Sequence, residues 1–250
     1  MIHFFRKMRQ NWLSEGNTAR PALPSGRYMK YAIGEIILVV IGILIALSIN
    51  NWNEDRINHK EEALLIKNIV EDLNKDLAHI NQGLGELEDQ MEVVDDLIAK
   101  AMDKDITLDY QFMGLVRYSS DFRPIVQRNH AEEVSNLENE NTRELLQNYF
   151  IKEDQVKDIF QEYETIIHNE VRPYLREAGM HNLESLYTRE GAAKIEMLLN
   201  PEILDAELQK VKFQQILFER RLKTEPFKRF LNELKVANQD LVKALKFDEN

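Results

Sequence analysis

The chain has 250 residues, 44% of them hydrophobic and 30% charged, with no cysteine and a formal net charge of -11. That length holds one good-sized domain plus an anchor, the charge content argues against a polytopic membrane protein, and the missing thiols exclude disulfides, thiolate zinc sites and cysteine catalysis. So acidic a surface repels phosphate backbones, and nucleic acid is not expected as a partner.

In chain order, residues 1–30 read as a cytoplasmic basic amphipathic segment and linker. In "MIHFFRKMRQNWL", Met1, Phe4, Phe5, Met8 and Trp12 share one helical arc, with Arg6, Lys7 and Gln10 opposite. Such a helix lies in the inner-leaflet interface, and a disordered basic tail is the alternative. Residues 31–51 follow as the transmembrane helix. The uncharged core 36–49 spans only about 21 Å at 1.5 Å per residue, whereas 31–49 reaches about 29 Å, close to the hydrocarbon thickness. Glu35 then lies about 6 Å inside one edge, where a carboxylate still reaches the headgroups. It reads as a boundary residue that sets helix depth; a part in an ion or proton path is the sharper alternative. Gly34, Gly42 and Ala46 recur at multiples of four and line a stripe where another helix can approach, with Trp52 at the far boundary. These five residues form the expected membrane and oligomer interface.

Residues 1–35 hold six basic and two acidic side chains, and the other 215 hold 26 basic and 41 acidic. By the positive-inside rule the N-terminus is cytoplasmic and the acidic bulk lies outside, in the periplasm of an inner-membrane protein. A cleaved signal peptide competes with this reading, since Ala46-Leu47-Ser48 resembles a cleavage site. Against it stand an n-region of more than thirty residues and the acid at the start of the apolar core.

The stretch "YAIGEIILVVIGILIAL" followed by "INNWNE", with the "FFRKMRQ" opening, resembles an uncharacterised Bacteroidota family of single-span membrane proteins, domain of unknown function 6090. The likeness is specific over residues 1–56 and looser at "SSDFRPIV" and "ELLQNYF". The "NTARPALPSGRY" linker is longer than the family's. The resemblance implies an inner-membrane protein of a diderm bacterium and implies no activity.

Beyond the span, few glycines and prolines favour long helices, and the expected fold is all-α: an elongated helical bundle or coiled-coil ectodomain. Residues 52–102 read as a long stalk helix. Its apolar stripe runs through Ile66, Ile69, Leu73, Leu77, Ile80, Leu84, Leu87, Met91, Val94, Ile98 and Ala101, with a bend at Gly83 and Gly85. Residues 103–199 form a head of shorter helices, one opened by an Asn141/Glu144 capping box, with breaks at Pro124, Pro173 and Gly179. Residues 200–250 form a long returning helix, capped by Asn200 before Pro201 and kinked or broken at Pro226. Whether the two stripes meet within one chain or between chains stays open.

No constellation of catalytic residues is present. His130-Ala131-Glu132 has the zinc-deaminase spacing without the cysteines, and Glu-x-x-His pairs, Gly-rich phosphate loops and HExxH are missing from the sequence. The expectation is a protein without enzymatic activity or cofactor. Arg117, Arg123, Arg128 and Arg143, beside Tyr110, Phe112, Tyr118 and Phe122, are the candidate anionic-ligand pocket. Pairing with surrounding acids is the ordinary use of such arginines.

The function expected is a membrane-anchored helical scaffold or interaction protein of the cell envelope. Its partners are lipid, further copies of itself or another envelope protein. The alternatives are a ligand-sensing module acting through a partner, and an accessory subunit of an ion-driven complex that uses Glu35. The sensing reading departs from chemoreceptors in that the sequence reaches Asn250 with no second span.

Overall fold

The computed structural model describes residues 25–186 and 197–247, apart from the side chains of 25–30, 186 and 247. The amphipathic arc of residues 1–12 and most of the linker lie outside the described residues. Two compact units are formed, residues 1–59 and 60–250. In chain order the elements are α1 (Ser25–Ala101), a 3-10 turn (Met113–Arg117), α2 (Val126–Ser135), α3 (Glu140–Ile166), a π-helical turn (Ile167–Val171), α4 (Arg172–Glu177), a second 3-10 turn (Leu183–Leu186), α5 (Pro201–Leu208) and α6 (Val211–Phe247). The fold is all-α: among the described residues the single β pairing is an isolated bridge between His181 and Leu199.

In unit 60–250, three long helices pack side by side. Asn238 on α6 donates to the Leu73 carbonyl, while Arg221 meets Asp95, so α6 runs antiparallel to α1. Asn238 also reaches the Tyr149 hydroxyl and Lys223 reaches Glu162, which sets α6 antiparallel to α3. The apolar stripes of α1 and α6 therefore meet within one chain. They bury two clusters, one containing Ile69, Leu73, Leu146, Tyr163, Phe227 and Leu234, the other Leu97, Met113, Leu175, Leu204, Phe213 and Leu217. Each such side chain, fully removed from water, contributes on the order of 1.5–3 kcal/mol.

The buried face of α1 is set by position more than by residue type. Its central line is Ile66, Ile69, Leu73, Asp76, Ile80, Gly83, Leu87, Gln90, Val94 and Leu97, an unbroken alternation of three and four, with Asp72, Leu84 and Val93 buried beside it. Leu77, Met91 and Ile98, counted in the stripe from hydropathy, are only half-buried at its margin. Three polar or side-chain-free residues occupy the centre instead. The helix is not interrupted at Gly83 and Gly85, and Gly83 packs against the 118–125 segment: a Cβ there would lie 3.3 Å from Ser120 Oγ.

Three further local expectations are corrected. The cap of α3 is Asn139, whose side chain accepts from the Thr142 N–H, and Asn141 lies inside the helix. Within α3, Glu153 fills the buried position between Phe150 and Val156. Residues 200–250 form two helices: Asn200 caps α5 as expected, but α5 stops at Leu208, whose carbonyl is taken by the Gln214 side-chain amide as α6 begins. Finally, α6 is not broken at Pro226 but continues as one helix through it. A proline costs about 3 kcal/mol in an exposed helix, and here Phe227 and Leu231, fully buried just after it, hold the helix in place. Gly179, at φ +66, closes α4 in the left-handed conformation that glycine adopts freely, with Met180 N–H bonded back to Leu175.

Candidate functional site

The first candidate is the apolar N-terminal part of α1, long and apolar enough by length and composition to cross a membrane. Its best 18-residue window has a mean hydropathy of 2.8, with none of the window buried. The side chains from Ile36 to Ile49 all point to their surroundings, and nothing lies within 4 Å of a Cβ placed at Gly34 or Gly42. Glu35 and Ala46 are exposed on the same helix, and Trp52 is 67% exposed.

The four arginines singled out from the sequence are used separately. Arg117 ends the first 3-10 turn and stacks over Tyr118, 5.6 Å from the ring centre, with its Nε buried and unpartnered. Arg123 is exposed and pairs with Asp121 at 2.9 Å. Arg128 is exposed on α2. Arg143 donates to the Leu137 carbonyl at 2.7 Å and so fixes the turn entering α3. No hydrogen-bond, ion-pair or ring partner is common to any two of the four among the described residues.

Two polar layers inside the bundle carry the chemistry that hydropathy conceals. The first surrounds the start of α2, whose N-cap, Ile125, has no capping side chain. Its orphan N–H groups are satisfied from the neighbouring helices. Asp76 on α1 accepts from Ile125 N–H at 3.0 Å and Val126 N–H at 3.2 Å, and Glu153 on α3 accepts from Gln127 N–H at 3.3 Å. Carboxylates at a helix N-terminus are favoured by the exposed N–H groups and the helix dipole. One turn away, Asp72 accepts from Asn129 at 2.9 Å, and His130 Nε2 lies 3.0 Å from it.

The three acids respond differently to this environment. Burial raises the Glu153 carboxyl, and the adjacent Asp76 adds to it, bringing it up to about 8. Burial likewise raises Asp76, against the two backbone N–H bonds that favour its charged form. For Asp72, burial pulls upward, but hydrogen bonds from Lys75, Asn129 and His130 outweigh it and bring the carboxyl down to about 2. Near neutral pH the layer therefore holds a protonated Glu153 beside an ionised Asp72. A shallow surface depression next to it is lined by Asp76, His79, Arg123, Pro124 and Tyr149 among others.

The second layer lies two heptads further along α1. Tyr163 donates to Gln90 Oε1 at 2.6 Å and accepts from Ser120 N–H at 3.1 Å, while Ser120 Oγ donates to the Gly83 carbonyl at 3.2 Å. Arg220, 0% exposed on α6, donates through Nη2 to Gln90 Oε1 and to the Tyr118 carbonyl, both at 3.2 Å. Arg172, at the end of the π-helical turn, donates through Nε to the Arg117 carbonyl at 2.9 Å, with its Nη1 3.2 Å from His168 Nδ1. Reading arginines by proximity in sequence to aromatics missed Arg172 and Arg220. The available signal was a single arginine at a seam position of α6, between Leu217 and Phe227.

Residues 35–123 match the model of a family of unknown function, DUF6090. Over this segment the chain is similar to DUF6090. The DUF6090 segment begins at Glu35 in the apolar window, takes in the whole buried face of α1 and ends at Arg123, well beyond the 1–56 stretch on which the resemblance was most specific. It contributes Asp72, Asp76, Gly83, Gln90 and Ser120 to the two polar layers, whereas Glu153, Tyr163, Arg172 and Arg220 come from outside it. No curated protein matches the chain. No solved structure matches it either.

Proposed function

We propose that this protein is a non-catalytic interaction module of a bacterial envelope. In this reading a single N-terminal span anchors it in the inner membrane, and the helical unit 60–250 is presented on the periplasmic side for association with further copies or another envelope protein. The observation that carries it is the apolar window of α1, hydropathy 2.8 and unburied throughout, which as a free surface would far exceed the apolar patch a soluble monomer tolerates. Orientation follows from the basic excess of residues 1–35. Association is supported by Val211, Phe218 and Leu222, which share one face of α6 and are each about half exposed or more.

Cysteine-free, the chain accepts single reporter cysteines, so one placed at residue 218 in membranes tests both features. The expected result is labelling only from the periplasmic side and crosslinking to a second copy or one discrete partner. Labelling from the cytoplasmic side, or a chain that stays uncrosslinked at native abundance, defeats the reading. Ligand sensing through a partner is the second reading, favoured by the buried guanidinium of Arg220. No feature of the structure singles out Glu35 for ion coupling.

A further inference from the structure

Arg220 has five N–H donors and uses only those of Nη2; Nε and Nη1 are buried and have no partner. Its partners are an amide oxygen and a carbonyl, and no carboxylate forms an ion pair with it among the described residues. The groups that act on it from neighbouring elements are the Tyr163 hydroxyl, which favours the charged form, and a second cation, Arg172, which opposes it and grips the carbonyl of residue 117 while Arg220 grips that of residue 118. Glu86, the acid on the adjacent turn of α1, is directed to Ser120. A buried ion without a counter-charge costs several kcal/mol, and guanidinium, unlike a lysine amine or a carboxylate, does not escape by changing protonation near neutral pH.

The backbone around the node is built to hold the second cation there. The turn Ile167–Val171 is π-helical, the Arg172 N–H bonding five residues back to Ile167, and Pro173 next to it supplies no N–H. This widened turn sets His168 and Arg172 side by side, with Arg172 on the 117 carbonyl. Isolated π turns inside α-helices concentrate at functional sites.

We propose that this node is an anion-binding site inside the bundle, with the free Nε and Nη1 of Arg220 as donors, Arg172 as supporting charge, and a small monovalent anion of chloride size as occupant. Full burial of Arg220 leaves no mouth for a larger ligand. The site joins α1, the 117–120 segment, the π turn and α6, so occupancy ties four separate parts of unit 60–250 together. It does not depend on whether the chain is anchored or associates.

The test uses the full-length chain in detergent, with thermal unfolding followed in sodium chloride against sodium gluconate at constant ionic strength. The expected result is a saturable rise in Tm of several degrees with chloride, since a ligand of the folded state stabilises by mass action. Crystals grown in bromide should show anomalous scattering within hydrogen-bond distance of Arg220 Nε or Nη1. In Arg220→Met, which keeps length without charge, the chloride dependence should disappear. Should that variant fail to fold, Arg172→Gln should shift the chloride midpoint severalfold upward. A wild-type Tm identical in the two salts, a chloride effect that survives Arg220→Met, or an unshifted midpoint in Arg172→Gln overturns the proposal.

Discussion

Glu153 and Asp72 respond to pH in opposite directions, although both sit in the same buried layer. The folded chain holds a proton on Glu153 up to about pH 8, whereas an unfolded glutamate releases it near 4.5. Its contribution to stability is therefore complete below 4.5 and is lost as pH rises through 8. Asp72 is held down at about 2 against an ordinary 3.8, so its contribution is present above 3.8 and lost as pH falls toward 2. Urea midpoints measured from pH 4.5 to 8 should fall in the wild type and flatten in Glu153→Gln, whose amide oxygen still accepts from Gln127. An equal slope in both proteins refutes the assignment. Asp76 serves two backbone N–H groups at once, and Asp76→Ala strands both. The expected loss is about 2–4 kcal/mol by denaturant unfolding, from the usual 1–3 kcal/mol per buried unsatisfied group.

Two glycines a single residue apart on α1 separate helix propensity from packing. Gly85 has nothing within 4 Å of an added Cβ, so Gly85→Ala should stabilise by about 1 kcal/mol, the propensity difference in a helix interior. At Gly83 the added carbon meets Ser120 Oγ at 3.3 Å, and that hydroxyl is itself tied to the Gly83 carbonyl and Glu86. Gly83→Ala should therefore gain nothing or lose stability, although propensity alone predicts the same gain as for Gly85→Ala. Equal gains in Tm for the two variants would show that the 118–125 segment does not press on α1. The same contrast marks what hydropathy can reveal. The three-and-four spacing of aliphatic side chains located the helices, because burial of apolar surface dominates their packing. It placed the seam of α1 slightly off axis and did not mark Glu153 as part of the buried face of α3, because Asp76, Gly83, Gln90 and Glu153 occupy core positions for their hydrogen bonds or for lack of a side chain. Their partners lie 26 to 130 residues away, as with Glu153 and Gln127 or Gln90 and Arg220, and no local pattern encodes those pairings. Pro226 misled for a related reason: its cost is local, while the packing of Phe227 and Leu231 that offsets it is tertiary.

For the molecule as a whole, the fate of the apolar window of α1 is decided by how charge is priced along it. From Ile36 to Ile49 there is no ionisable side chain and every residue is exposed, so its favourable environment is hydrocarbon, at roughly 0.3–0.6 kcal/mol per large aliphatic residue near the centre. One lysine at the centre costs about 2.5–3.5 kcal/mol on the same scale and cancels several of those residues, whereas at the edge a charged chain extends its tip to the headgroups. Ile41→Lys, near the middle, should therefore shift a measurable share of the chain into the alkaline carbonate supernatant of a membrane preparation. Glu35→Lys, near the edge, should leave it in the pellet with the wild type. The pairing matters because both variants add one lysine and Glu35→Lys also removes an acid, so an effect of net charge alone would be larger in Glu35→Lys, the reverse of the expected order. Equal extraction of the two, or wild-type chain already in the supernatant, would mean that the window contacts protein or water, and the anchor would have to be abandoned.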